Sequence, residues 1–190
     1  MENIKRNLKE RIFMIWKNPY VLFPIFGFVF TSLAGTLLHF LPDVASNNFV
    51  YLFSPSNESV WEHLKLLFYP YIIFIAVEYF AYGRETKGFL GAKMRGVFAG
   101  EGVIVAAHYI VSGIMGRDVM WVDVLLFFVG AAVAYFLPYL LIKRGVSRRY
   151  STAVAAALLL LHVALFCVFT FFPPKIGLFF DPEMGGYGIT

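Results

Sequence analysis

All but three of the sixteen Lys and Arg residues fall in short stretches that separate long apolar runs, and this alternation restricts the chain to one kind of fold. Lys5, Arg6, Lys9, Arg11 and Lys17 precede the first run. Arg84, Lys87, Lys93 and Arg95 stand between the second and third, and Lys143, Arg144, Arg148 and Arg149 between the fourth and fifth. Only Lys65, Arg117 and Lys175 lie elsewhere. An apolar helix crosses a hydrocarbon core about 30 Å thick with about 20 residues. Five stretches meet that length, at 19–41, 60–83, 95–115, 121–142 and 150–172. Cytoplasmic loops hold the Lys/Arg excess. The expected fold is therefore an all-α, polytopic bundle of five transmembrane helices, with a cytoplasmic amino terminus and the carboxyl terminus outside. Residues 1–18 form a cytoplasmic amphipathic lead-in, 19–172 the membrane domain and 173–190 an extracytoplasmic tail.

Composition agrees with that class and excludes others. A chain that is 59% hydrophobic and 15% charged, with 22 Phe and 11 Tyr, is too apolar for a soluble domain of 190 residues. The net charge of +4 follows the topology and suits anionic lipid, and no basic domain exists to hold nucleic acid. The single cysteine, Cys167, lies inside the fifth run, where a lone thiol behaves as a small hydrophobe and no intramolecular disulfide is available. Ser32-Leu33-Ala34 would pass as a signal-peptide cleavage site, but the apolar run continues to Leu41, a length that suits a retained helix.

Small residues recur every four positions in two of the runs. Gly27, Thr31, Gly35 and His39 form one stripe, and Gly96, Gly100, Ile104, His108, Ser112 and Gly116 another. Such stripes let helix backbones approach closely in lipid, so both faces should point at protein. Pro70 sits well inside the second run and leaves the Leu66 carbonyl without its usual donor. The connection 42–58 is too apolar to prefer water, and the tail carries Phe179-Phe180 before a Gly-rich end. No internal repeat is evident.

The most specific segment is Asn57-Glu58-Ser59-Val60-Trp61-Glu62-His63-Leu64-Lys65. Ser59-x-x-Glu62 reads as a reciprocal helix capping box and Trp61 as an interfacial anchor. Neither reading explains His63 or Lys65. Asn57-Glu58-Ser59 also matches a glycosylation acceptor, but it begins a helix too close to the membrane for that use. This segment and the ending Asp181-Pro182-x-x-Gly185-x-Tyr187-Gly188-Ile189 resemble a family of small bacterial integral membrane proteins to which no activity is attached. The resemblance covers the whole chain, and it implies a bacterial cell membrane and no particular reaction.

Ionisable side chains inside a bilayer cost on the order of 2.5–3.5 kcal/mol each and usually face the bundle interior. Glu62, His63, His108, His39, Asp123 and His162 all fall in the middle or outer half of their helices, so one outward-facing pocket is expected. It would bind a small molecule, a lipid headgroup or an ion. Histidine with carboxylate is a common ligand set for divalent metals, which makes His39, His63, His108 and His162 candidate ligands. No His-Glu-x-x-His motif occurs, so any metal site would be assembled from separate helices. Hydrogen-bonded structural histidines are the competing reading. Glu78 and Glu101 match in depth nearer the cytoplasm, with Arg84, Lys93 and Arg95 in reach, as an ion-pair network. Alternatively, Glu101 and His108, roughly 10 Å apart along one helix face, are stations of a proton path. The function classes left open are an outward-facing binding protein, with or without catalysis, a proton-coupled carrier, and a structural subunit of a membrane complex.

Overall fold

The computed structural model describes residues 18–145 and 151–189. All but the last residue of the lead-in, and the basic residues Arg148 and Arg149, lie outside that set. Helix α1 (Pro19–His39) begins where Asn18 accepts the Tyr20 N–H and Pro19 takes the first helical position. Two short helices, α2 (Leu41–Val44) and α3 (Asn48–Tyr51), follow, and then α4 (Val60–Ala81), α5 (Phe89–Met115), α6 (Met120–Lys143) and α7 (Thr152–Phe171). The tail ends in a small antiparallel ladder in which β1 (Phe180–Asp181) pairs with β2 (Gly186–Tyr187). Among the described residues, five helices are long and apolar enough to span a membrane, as their run lengths require.

One boundary differs from the sequence expectation in a way that matters. The third span starts at Phe89, just after Gly88 turns the chain at φ 75°, and not at 95. Lys93 therefore lies within the helix and is buried, although charge patterning places it in a loop. Its ammonium pairs with the Glu78 carboxylate of α4, and that partner makes the burial tolerable.

Both small-residue stripes face protein over Gly27, Thr31 and Gly35 and over Gly96, Gly100 and Ile104, whereas Gly116, at the end of the second stripe, stands exposed in open space. A Cβ on Gly27 would strike Tyr135, one on Gly96 would lie 2.4 Å from the Ala134 carbonyl oxygen, and one on Gly100 would lie 2.5 Å from that of Gly130. Because Gly130 in turn faces the Gly100 carbonyl, α5 and α6 press backbone to backbone. The same contact helps define a buried aromatic centre. Tyr71 of α4 stacks edge-on against Tyr135 of α6, and its hydroxyl lies 2.8 Å from the Ala134 carbonyl. Tyr135 bonds Thr31 of α1 at 2.7 Å. Phe26, Leu33, Leu37, Ile73, Ile110, Val124 and Leu160 are exposed, and on spans of this length such side chains meet lipid.

One end of the bundle is covered. The Ser54 hydroxyl donates to the Leu38 carbonyl at the end of α1, which draws the α2–α3 connection across the helix ends. The tail folds over the same region and buries Phe179 against Trp61, with ring centroids 5.0 Å apart. We refer to this as the capped end.

Candidate functional site

Ser59 starts α4 from an extended backbone and its Oγ accepts the Glu62 N–H at 3.4 Å, the expected half of a capping box. The reciprocal half does not form. The Ser59 N–H goes to Asn57 Oδ1 at 2.9 Å, and Glu62 turns inward to accept from the Ser56 N–H and hydroxyl at 2.8 and 2.9 Å. There it meets Lys65 at 2.6 Å. Lys65 also donates to the Tyr51 carbonyl at 2.7 Å and to Thr170 Oγ1 at 2.5 Å. With Glu62 and Lys65 both buried, this is a fully partnered ion pair that ties the connection, α4 and α7 together. Trp61 is likewise 8% exposed and packs among Phe166, Phe169 and Phe179, so it is a core residue and not an interfacial anchor.

His63, one position after Glu62, points to the other side of this node. Its Nδ1 lies 3.0 Å from the Ser59 carbonyl and its Nε2 lies 3.4 Å from Glu58 Oε2. The His39 ring, at the last residue of α1, sits 5.3 Å from the His63 ring, and one donor atom from each of His39, Glu58 and His63 lies within 4.8 Å of the other two. His39 Nδ1 is buried and has no hydrogen-bond partner among the described residues.

The remaining candidates have other neighbours. His108 of α5 binds Asp123 of α6 at 2.7 Å through Nδ1 and faces Asp118 at 3.7 Å through Nε2. His162 of α7 meets Glu101 of α5 at 3.0 Å inside a box formed by Trp61, Phe68, Phe98 and Phe166. Glu78 accepts from the Tyr82 hydroxyl at 2.9 Å as well as pairing with Lys93. So His39 and His63 lie together with Glu58, Glu62 adjoins them in sequence but belongs to a saturated ion pair, and among the described residues His108 with Asp123, His162 with Glu101, and Glu78 with Lys93 form further pairs.

Two contributors escaped the sequence reading. Glu58 was visible only as the middle of an acceptor motif, and Asp181 only as part of a tail motif. The structure joins the two motifs. Asn57 Nδ2 donates to the Gly188 carbonyl at 3.0 Å, and the Glu58 N–H donates to Asp181 Oδ2 at 3.3 Å. Asp181 is itself buried and its Oδ1 accepts the N–H groups of Glu183 and Met184, the turn that Gly185 completes at φ 66°. The one hint in the sequence was composition, since Asp-Pro followed by Gly three residues on is a turn signal.

Five apolar spans and a capped end bearing a His/Glu group define a multi-pass α-helical membrane protein. Residues 13–189 match the family described as a family of unknown function, DUF6512, and the chain belongs to it. No curated protein and no solved structure matches it.

Proposed function

We propose that this protein binds a small ligand, an ion or a compact polar headgroup, in an outward-facing pocket at the capped end, with His39, Glu58 and His63 at its centre. The observation that carries the reading is the convergence of these three side chains from two helices and a turn, within 4.8 Å of one another, on a segment clamped by the tail. Glu62 and Lys65 already satisfy each other, whereas His39 retains a buried nitrogen without a partner. A buried polar atom left unpaired costs about 1–3 kcal/mol, a cost that a ligand would relieve. The positive-inside pattern supports an outward capped end, and the cell membrane is the location that fits it.

The test is a melting screen of the purified protein in detergent against ZnCl2, CaCl2, inorganic phosphate and glycerophosphocholine. A ligand at one hundred times its Kd stabilises by about 2.7 kcal/mol, enough to move the melting temperature visibly. At least one of these should do so in the parent and fail in His39→Ala/His63→Ala. A panel without any shift, or a shift kept by the double variant, rejects the site.

A second reading, a proton-coupled carrier, has one observation in its favour. The Glu101 and His162 pair is enclosed by aromatic rings inside spans α5 and α7, where an ionisable pair is expensive and often functional. Proton entry into liposomes that depends on the protein and is lost in Glu101→Gln would favour it.

A further inference from the structure

We infer that the ligand of this site is a divalent transition metal of the Zn²⁺ type, held by one imidazole nitrogen each from His39 and His63 and by the Glu58 carboxylate. The inference rests on the binding-site reading above and narrows it to a chemical class.

The orientation of the His63 ring follows from its partner. A carbonyl oxygen only accepts, so Nδ1, 3.0 Å from the Ser59 carbonyl, carries the hydrogen. Nε2 is the other ring nitrogen, it is the atom directed at Glu58, 3.4 Å away, and in a neutral ring with the hydrogen on Nδ1 it offers its lone pair to a cation. A ring fixed through one nitrogen to a backbone carbonyl, with the other free to ligate, is the usual support of a metal-bound histidine. The Ser59 carbonyl is held in turn, because it also accepts the backbone N–H of His63 as the first turn of α4 closes.

The alternative is an ordinary ion pair between His63 and Glu58 with His39 packed beside them. That accounts for two of the three groups. It leaves His39 Nδ1 buried and unbonded, and it places a second imidazole against the first, with ring centroids 5.3 Å apart, without any bond between them. A single cation would engage all three. Metal–ligand bonds of about 2.0–2.2 Å in a tetrahedron put donor atoms roughly 3.3–3.6 Å apart. The observed donors are all within 4.8 Å, and one pair is already at 3.4 Å. The remaining distances are those to His39, so closing them needs side-chain rotation of His39 as well as of Glu58 at the partly exposed edge of the site.

The donor set selects the ion. Two imidazoles and one carboxylate suit Zn²⁺ and its first-row neighbours, whereas Ca²⁺ and Mg²⁺ take oxygen ligands almost exclusively. Three protein ligands also leave a coordination position open, as in zinc sites that accept a water or a ligand. Asp181 then has a defined task. By accepting the Glu58 N–H it holds the backbone of one ligand against the tail, so the tail positions the site without touching the ion.

Tag-free protein purified in detergent, stripped with chelator and titrated with ZnCl2, should bind about one ion per chain by elemental analysis. Co²⁺ in its place should give the visible absorption of a four-coordinate ion, a signal that a merely stabilising surface contact does not produce. His39→Ala and His63→Ala should each weaken Zn²⁺ by more than the 10–100-fold typical of losing an outer-shell partner, and Asp181→Asn by about that 10–100-fold. Glu58→Gln, at an exposed position, keeps the test clear of folding failures and should abolish the Co²⁺ spectrum. Parent protein that takes up neither ion, or full Zn²⁺ affinity in both Glu58→Gln and His63→Ala, overturns the inference. Phosphate or glycerophosphocholine binding that needs His39 and His63 in a protein indifferent to Zn²⁺ would overturn the metal while leaving the site standing.

Discussion

Gly35 of α1 lies against the backbone carbonyl of Leu66 in α4, so closely that a Cβ on Gly35 would come within 2.5 Å of the oxygen. Pro70 explains why that oxygen is available. Having no N–H, it cannot bond the carbonyl four residues earlier, and the freed oxygen is turned toward a neighbour with no side chain. A small-residue stripe on one helix and a proline on the next are two halves of one contact.

Gly35→Leu and Gly100→Leu should therefore both lower the yield of folded protein and the melting temperature in detergent. In each case the obstacle is a backbone oxygen, of Leu66 or Gly130, which cannot rotate away as a side chain can. Overpacking of this kind costs about 1–3 kcal/mol or more. Gly102, on the same helix as Gly100 but with open space around it, is the control, and Gly102→Ala should melt like the parent. Equal behaviour of all three variants would mean that the stripes do not hold the helices together.

The ion pair beside the candidate site makes a different claim. Lys65→Met leaves Glu62 buried and facing only neutral donors, which should destabilise by about 3–5 kcal/mol. Lys65→Met/Glu62→Gln should recover most of the loss, since it removes both charges and keeps an acceptor near Ser56 and Thr170. Melting curves of the single and double variants decide this. A single variant that melts like the parent would mean that the ion pair does not hold the capped end together.

Orientation is testable with cysteines in a Cys167→Ser background. Val44 on the connection and Met184 in the tail are both highly exposed at the capped end, and Glu85 lies exposed in the turn between α4 and α5 at the other end. Val44→Cys and Met184→Cys should react with a membrane-impermeant maleimide in intact cells, and Glu85→Cys only after permeabilisation. The reverse pattern would place the His/Glu group on the cytoplasmic side.

The five spans were legible because the length of an apolar run is a local property of the sequence, fixed by bilayer thickness. Lys93 was not, because a buried lysine looks like a loop lysine until its partner is known, and Glu78 lies on the preceding helix across a turn. The histidines show the same division. Depth along each helix put Glu62, His63, His108, His39, Asp123 and His162 into one group, but depth carries no information about azimuth. Azimuth divides that group: His39 lies beside His63, His108 bonds to Asp123, and His162 bonds to Glu101, which depth had assigned to a different level. Glu58 was out of reach for a third reason. Its position depends on a turn before Ser59 that is held by Asp181, more than a hundred residues later.

That long-range contact supports the last prediction. Asp181 accepts three backbone N–H groups, from Glu58, Glu183 and Met184, and is almost completely buried. Asp181→Ala would leave these donors without their acceptor, and a buried donor left unsatisfied costs about 1–3 kcal/mol. The loss should be local, because Phe179 still packs against Trp61 and the five spans do not depend on the turn. Limited proteolysis should consequently cut near Pro182 and near residues 55–58 faster than in the parent, while the helical content measured by circular dichroism stays unchanged. Asp181→Asn, which keeps acceptor capacity on one oxygen, should fall between the two. Protection of residues 55–58 in Asp181→Ala equal to the parent would show that the tail covers the segment without holding it, and that the α3 to α4 turn is set by Asn57 and Ser59 alone.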